Sequence, residues 1–96
     1  MREAMDYIMD LDGNKILIEA EQKHMKQDLA DQYVRMRKDM KLTQEQVSRR
    51  SGIPRSNIAR FESGRYNPSL ELMVKMAAAM GLKVQIQLVP DKEARR

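Results

Sequence analysis

LTQEQVSRRSGIPRSNIARFESGRYNPSLELM, residues Leu42 to Met73, is the stretch that decides the fold. Thr43-Gln44-Glu45-Gln46 has the form of a capping box. The Thr43 hydroxyl is placed to accept from the Gln46 amide and the Gln46 side chain to return to the Thr43 amide, so a helix is predicted from Gln44. It runs only to about Ser51, because Gly52 supplies the permissive backbone of a tight turn and Pro54 then fixes φ for a new helix start. That next helix carries Ser56, Asn57, Ile58 and Phe61, with Gly64 placed as its C-cap. After the loop from Arg65 to Pro68, Ser69 caps a further helix. Its predicted inner face is Leu70, Met73, Met76, Ala77 and Met80, and Gly81 ends it. Val47, Ile53, Ile58 and Phe61 are spaced to fill the angle between the two short helices, and small Ser48 lets them cross closely.

Outward from this centre, no Gly or Pro occurs from Glu19 to Met40, and Met25, Leu29, Tyr33, Met36 and Met40 recur three or four residues apart. The stripe predicts one amphipathic helix with a core-facing side. Met1 to Ile18 is open: Met5, Ile8 and Met9 fit a helical face, while Tyr7 to Leu11 and Lys15 to Glu19 around Asp12-Gly13-Asn14 fit a hairpin. At the other end the period changes. Leu82, Val84, Ile86 and Leu88 alternate with Lys83, Gln85 and Gln87 until Pro90, which predicts a strand. An unpaired strand leaves a row of orphan amides and carbonyls, so it is expected to pair with the same strand of a second subunit or with the N-terminal segment, the dimer being favoured. Asp91 to Arg96 reads as a disordered polar tail.

Composition narrows the function classes. Ninety-six residues allow one small domain with flanks, and a chain this short is expected to oligomerise. With 42% hydrophobic residues but only 4% aromatics and no Trp, the nine Met and the aliphatics must fill the core, which suits helices. No apolar run reaches the roughly 18 to 20 residues of a membrane span, and no signal-peptide pattern opens the chain, so a cytoplasmic protein is expected. Cys is absent and His24 is the single His, so neither a metal site nor any other cofactor is expected. The net charge of +4 divides unevenly: residues 1–34 carry −4, residues 35–66 carry +6 and residues 67–96 carry +2. A basic block beside an acidic one points to two partners, one of them a polyanion, although a solvated helical face gives the blander account of either run.

The central string resembles the phage-repressor-like helix-turn-helix family, also called the Cro or XRE type, over about half of the chain. Gln44, Val47, Ser48, Gly52, Ile53, Ile58, Glu62, Gly64, Pro68 and Leu70 all occur in register with it. The resemblance implies that the third helix enters the major groove of double-stranded DNA and that the second helix meets a phosphate at its N-terminus. Carried onto this sequence, Thr43 and Gln44 would lie at the DNA backbone near a base, and Arg55, Ser56, Asn57 and Arg60 would face base edges. Ala59 falls on the same side, toward a thymine methyl. Arg65, with Lys41, Arg49 and Arg50, reads as phosphate contacts or as solubilising charge. Arg37 and Glu62 occupy positions that form a partly buried ion pair in many members; the alternative is two unconnected surface charges. Pro54 departs from the family, where Ser often supplies a cap hydroxyl.

The flanks add a second resemblance, in layout, to type II antitoxins of the HigA or HipB-like kind. Such proteins dimerise, repress their own operon and neutralise a toxin, for HigA-type members an RNA-cleaving protein of the HigB/RelE-like class. The expected architecture is all-α: a lambda-repressor-like helix-turn-helix domain of four to five helices with a C-terminal dimerising β-strand. The expected division is an acidic partner-binding segment at 1–27, the helix-turn-helix domain at 28–81, the dimer strand at 82–90 and the tail at 91–96. A basic, RNA-cleaving toxin is complementary to acidic residues interleaved with apolar ones, which singles out Met5, Tyr7, Ile8, Asp10, Asp12, Ile16 and Ile18. Val84, Ile86 and Leu88 are the expected dimer contacts. The competing reading is a stand-alone dimeric repressor on a palindromic operator. An enzyme is disfavoured: no nucleophile stands with a base and no Gly-rich loop is built for phosphate.

Overall fold

In the computed structural model, which describes residues 7–91, the N-terminal alternative resolves as a hairpin. Strands β1 (Tyr7–Met9) and β2 (Lys15–Leu17) pair antiparallel with Ile8 opposite Ile16. Asp10 shapes the turn: its carboxylate accepts from the amides of Asp12 and Asn14 at 2.9 and 2.8 Å, and Gly13 takes the left-handed backbone at φ 83°. A helix through this stretch would forfeit those bonds. Four helices follow, α1 (Ile18–Asp39), α2 (Gln44–Ser51), α3 (Arg55–Glu62) and α4 (Leu70–Ala79). The fold is therefore mainly helical, with a small two-stranded sheet at its start.

Helix α1 leaves β2 without a side-chain cap, and its charges suit the helix dipole: Glu19 and Glu21 in the first turn, Arg37 and Lys38 in the last. It closes in a Schellman turn, with the Leu42 amide donating to Arg37 and the Lys41 amide to Lys38. Lys41 occupies the left-handed position at φ 58°, a conformation that costs a non-glycine residue about 1 kcal/mol. Helix α4 ends in the same turn, where Gly81 holds the position without that cost.

The core is where α1, α2, α3 and α4 converge. Phe61, Ile58, Met76 and Val47 are fully buried. Tyr33 meets Phe61 edge-on with ring centroids 4.9 Å apart, and its hydroxyl donates to the Met73 carbonyl at 2.9 Å, tying α1 to α4. Burial pushes the Tyr33 phenol above its ordinary pKa of 10.0. Ser48 does more than leave room. Its hydroxyl donates across the turn to the Ile53 carbonyl. Gly52 takes φ 78° as the α2 C-cap, and the α3 cap falls at Ser63, one residue before the left-handed Gly64.

Two expectations are corrected, and within the single chain the expected C-terminal strand has no partner: Leu82 and Val84 pack against the core, while Ile86, Leu88 and Val89 are exposed. Strand pairing needs a neighbouring backbone, which a second copy would supply. Leu70 is 61% exposed, because the first turn of α4 projects past the core that Met73, Met76, Ala77 and Met80 enter. The α1 stripe is buried only at its middle. Met25 and Met40, toward its two ends, are exposed. Helix α1 also runs unbroken across residue 27. Among the described residues, no helix is long and apolar enough to cross a membrane.

Candidate nucleic-acid interface

The capping box forms as read, with the Thr43 hydroxyl accepting from the Gln46 amide at 3.0 Å and the Gln46 side chain accepting from the Thr43 amide at 2.8 Å. This leaves the Gln44 and Glu45 amides at the open end of α2 with no carbonyl behind them. A free helix N-terminus of this kind favours an anion. Beside it lies a cleft of about 560 Å³ lined by Thr43, Gln44, Arg49 and Arg55 among others, so the start of α2 and the start of α3 share one basic, open recess.

A hydrogen-bonded chain reaches this cleft from the interior. Arg37 grips Glu62 with two bonds, Nε to Oε2 at 2.7 Å and Nη2 to Oε1 at 2.9 Å, and both side chains are at most a tenth exposed. Its remaining Nη1 donates to the Leu42 carbonyl at 2.8 Å, which ties the α1–α2 turn to the pair. Of the two readings of Arg37 and Glu62, the ion pair is the one that forms. Glu62 Oε1 also accepts from Gln44 Nε2 at 2.8 Å. Because a carboxylate only accepts, this fixes the Gln44 amide with nitrogen inward and oxygen outward. That oxygen meets Arg55 Nε at 3.5 Å, a long contact that steers the arginine along the cleft rim. The Gln44 side chain is thus committed to Glu62 and Arg55.

Helix α3 turns Ile58 and Phe61 inward and leaves Arg55, Ser56, Ala59 and Arg60 exposed, with Asn57 half-buried at the edge. Arg60 lies over the Tyr66 ring, its guanidinium carbon 5.5 Å from the centroid. Lys41, Arg49, Arg50 and Arg65 are exposed around this face. Thr43, Gln44 and Arg55 therefore gather at one cleft, while Asn57 lines a separate hollow with Tyr66 and Lys75, and Arg65 follows the end of α3. Two contributors were not legible beforehand: Tyr66, and Glu62 in its second role as anchor for Gln44. Neither contact follows a helical spacing.

The flanks carry different chemistry. On the hairpin Ile8 is half exposed, Leu11 wholly so, and Asp10 and Asp12 mark the tip. Ile16, expected on the partner surface, is instead buried, and Ile18 is half-buried. Tyr7 sits in β1, and Met5 lies outside the described residues. Val84 is half-buried against the core, with Ile86 and Leu88 exposed beyond it. Between α1, α4 and this segment runs an apolar groove of about 240 Å³ whose lining includes Met25, Leu29, Met36, Met80 and Ile86.

Two short helices crossing at a Gly turn, with an exposed basic third helix and an open helix N-terminus beside it, define a helix-turn-helix DNA-binding domain. Residues 35–87 match the family model described as Helix-turn-helix, and the chain belongs to that family, in its Cro/XRE type. It is 38% identical over 52 residues to an uncharacterized HTH-type transcriptional regulator of Archaeoglobus fulgidus, covering 54% of this chain and 73% of that protein. It is 43% identical over 49 residues to the immunity repressor protein of Bacillus phage phi105, covering 51% of this chain and 34% of the repressor. A regulator of Sinorhizobium fredii, also an uncharacterized HTH-type protein, is 32% identical over 69 residues, 72% of this chain and 90% of its own length. No solved structure matches the chain.

Proposed function

We propose that this chain is a sequence-specific DNA-binding transcriptional regulator that works as the antitoxin of a type II toxin–antitoxin pair. It binds a palindromic operator as a homodimer, represses its own operon and neutralises an RNA-cleaving toxin of the HigB/RelE-like class. The observation that carries this reading is the opposition of two exposed surfaces: the basic cleft and α3 face on one element pair, and the acidic, apolar hairpin on another. The first suits a polyanion. The second, with Ile8 and Leu11 in water beside Asp10 and Asp12, suits a basic protein. Exposed Ile86 and Leu88 supply the seam between two copies.

At the operator, α3 enters the major groove, where Arg55 and Arg60 each present a fork that matches the two acceptors of guanine, worth about 1–3 kcal/mol of discrimination apiece. Ser56, Asn57 and Ala59 lie alongside, and Thr43, Gln44 and Arg65 border the backbone. A stand-alone dimeric repressor is the second reading, favoured by the likeness to a phage immunity repressor. Co-expression with the product of the adjacent gene separates them. A tight complex with a small basic protein, lost when residues 1–17 are deleted, supports the antitoxin; no co-purification together with intact operator binding leaves the plain repressor. Ile86→Lys is expected to halve the sedimentation mass, and an unchanged mass removes the C-terminal segment from the dimer seam.

A further inference from the structure

The two exposed arginines of α3 are supported differently. Arg55 leans on the Gln44 oxygen, the end of a hydrogen-bonded chain rooted in Glu62. Among the described residues no carboxylate holds Arg60; its guanidinium rests over the ring of Tyr66. We infer that Tyr66 is a positioning residue that sets base specificity through Arg60, an inference that rests on the operator-binding reading above.

The ring is well seated for this. Tyr66 is half-buried and packs against the core, beside Pro54 and Asn57 at the start of α3 and Leu72 in α4. The turn that returns it to α3 is locked: the Ser63 hydroxyl donates to the Arg60 carbonyl at 2.6 Å, the Arg65 amide donates to the Ser63 hydroxyl at 3.3 Å, and Gly64 takes φ 80°. Arg60 and Tyr66 are thereby held at opposite ends of one rigid turn. A guanidinium held over an aromatic face differs from a salt-bridged one in a way that matters for reading a base. A carboxylate consumes N–H donors of the fork, whereas the ring attracts the cation through its π face without accepting from a particular N–H as a carboxylate oxygen does. The contact also removes rotamer freedom that a long side chain would otherwise lose on binding.

The test is a double-mutant cycle on the full chain, using the duplex that the wild-type protein enriches from a random double-stranded pool. Tyr66→Leu is expected to weaken binding to that duplex about two- to fivefold, the scale of an exposed cation–π contact, without changing binding to unselected DNA or the salt dependence. Tyr66→Phe retains wild-type affinity. In an Arg60→Ala background, Tyr66→Leu has no further effect. Thermal unfolding checks each variant, and Tyr66→Gln provides the same comparison if the Leu variant unfolds. Equal losses in both backgrounds, a Phe variant as weak as the Leu variant, or a gain in affinity when the ring is removed overturns the role of Tyr66 while operator binding stands. A wild-type chain that enriches no sequence overturns both.

Discussion

The helix-turn-helix unit seals most of its apolar side chains while its flanks leave several of theirs in water, although Leu70 of α4 is exposed and Ile16 of the hairpin is buried. Within the unit, Phe61, Ile58, Val47 and Met76 are sealed between helices, and the buried Arg37 and Glu62 satisfy each other. In the flanks, Leu11, Leu88 and Ile86 stand in water at 105%, 94% and 70% exposure. Burying one such side chain is worth about 1.5–3 kcal/mol, a gain the unit has already taken and the flanks have not. The difference teaches that the unit's stability is internal, whereas the flanks hold their favourable free energy in reserve for whatever covers them.

Phe61→Ala attacks the sealed side most directly. It is expected to lose about 3–5 kcal/mol, enough to unfold much of so small a domain, read from urea denaturation followed by circular dichroism. A loss below about 1 kcal/mol would show that the core is not closed. Tyr33→Phe sharpens the comparison at an intermediate scale, removing the bond to Met73 at a cost of about 1 kcal/mol. It carries a pH signature as well. Because burial raises the folded phenol above 10.0, the unfolded chain gives up its proton first; the stability is complete below pH 10 and falls as pH rises through the folded value. The Phe variant lacks that alkaline fall, and denaturation midpoints measured either side of pH 10 check it. Leu11→Ser, at the hairpin tip, is expected to shift stability by less than about 0.5 kcal/mol. A larger loss would mean that the hairpin belongs to the folded core after all.

The same division explains what was legible beforehand. The boundaries of α2, the turn at Gly52 and the cap at Ser69 were readable because each rests on chemistry within four residues: a hydroxyl on a nearby amide, a glycine at positive φ. The Arg37–Glu62 pair was named but not decided, because only the crossing of α1 and α3 brings the two together. Leu70 and Met25 were misplaced since a helical period tells which side faces inward, not where the core ends. The C-terminal alternation was read correctly as a pattern, yet pairing depends on a backbone that the chain itself does not supply. Tyr66 escaped notice because its contact with Arg60 spans a turn rather than a repeat.

The continuity of α1 has a geometric consequence. From Ile18 to Tyr33 the helix measures about 22 Å at 1.5 Å per residue, so it is a strut that sets how far the hairpin stands from the Tyr33–Phe61 contact. A partner seated on the hairpin would therefore sit about 22 Å along α1 from the ring that Phe61 of α3 touches.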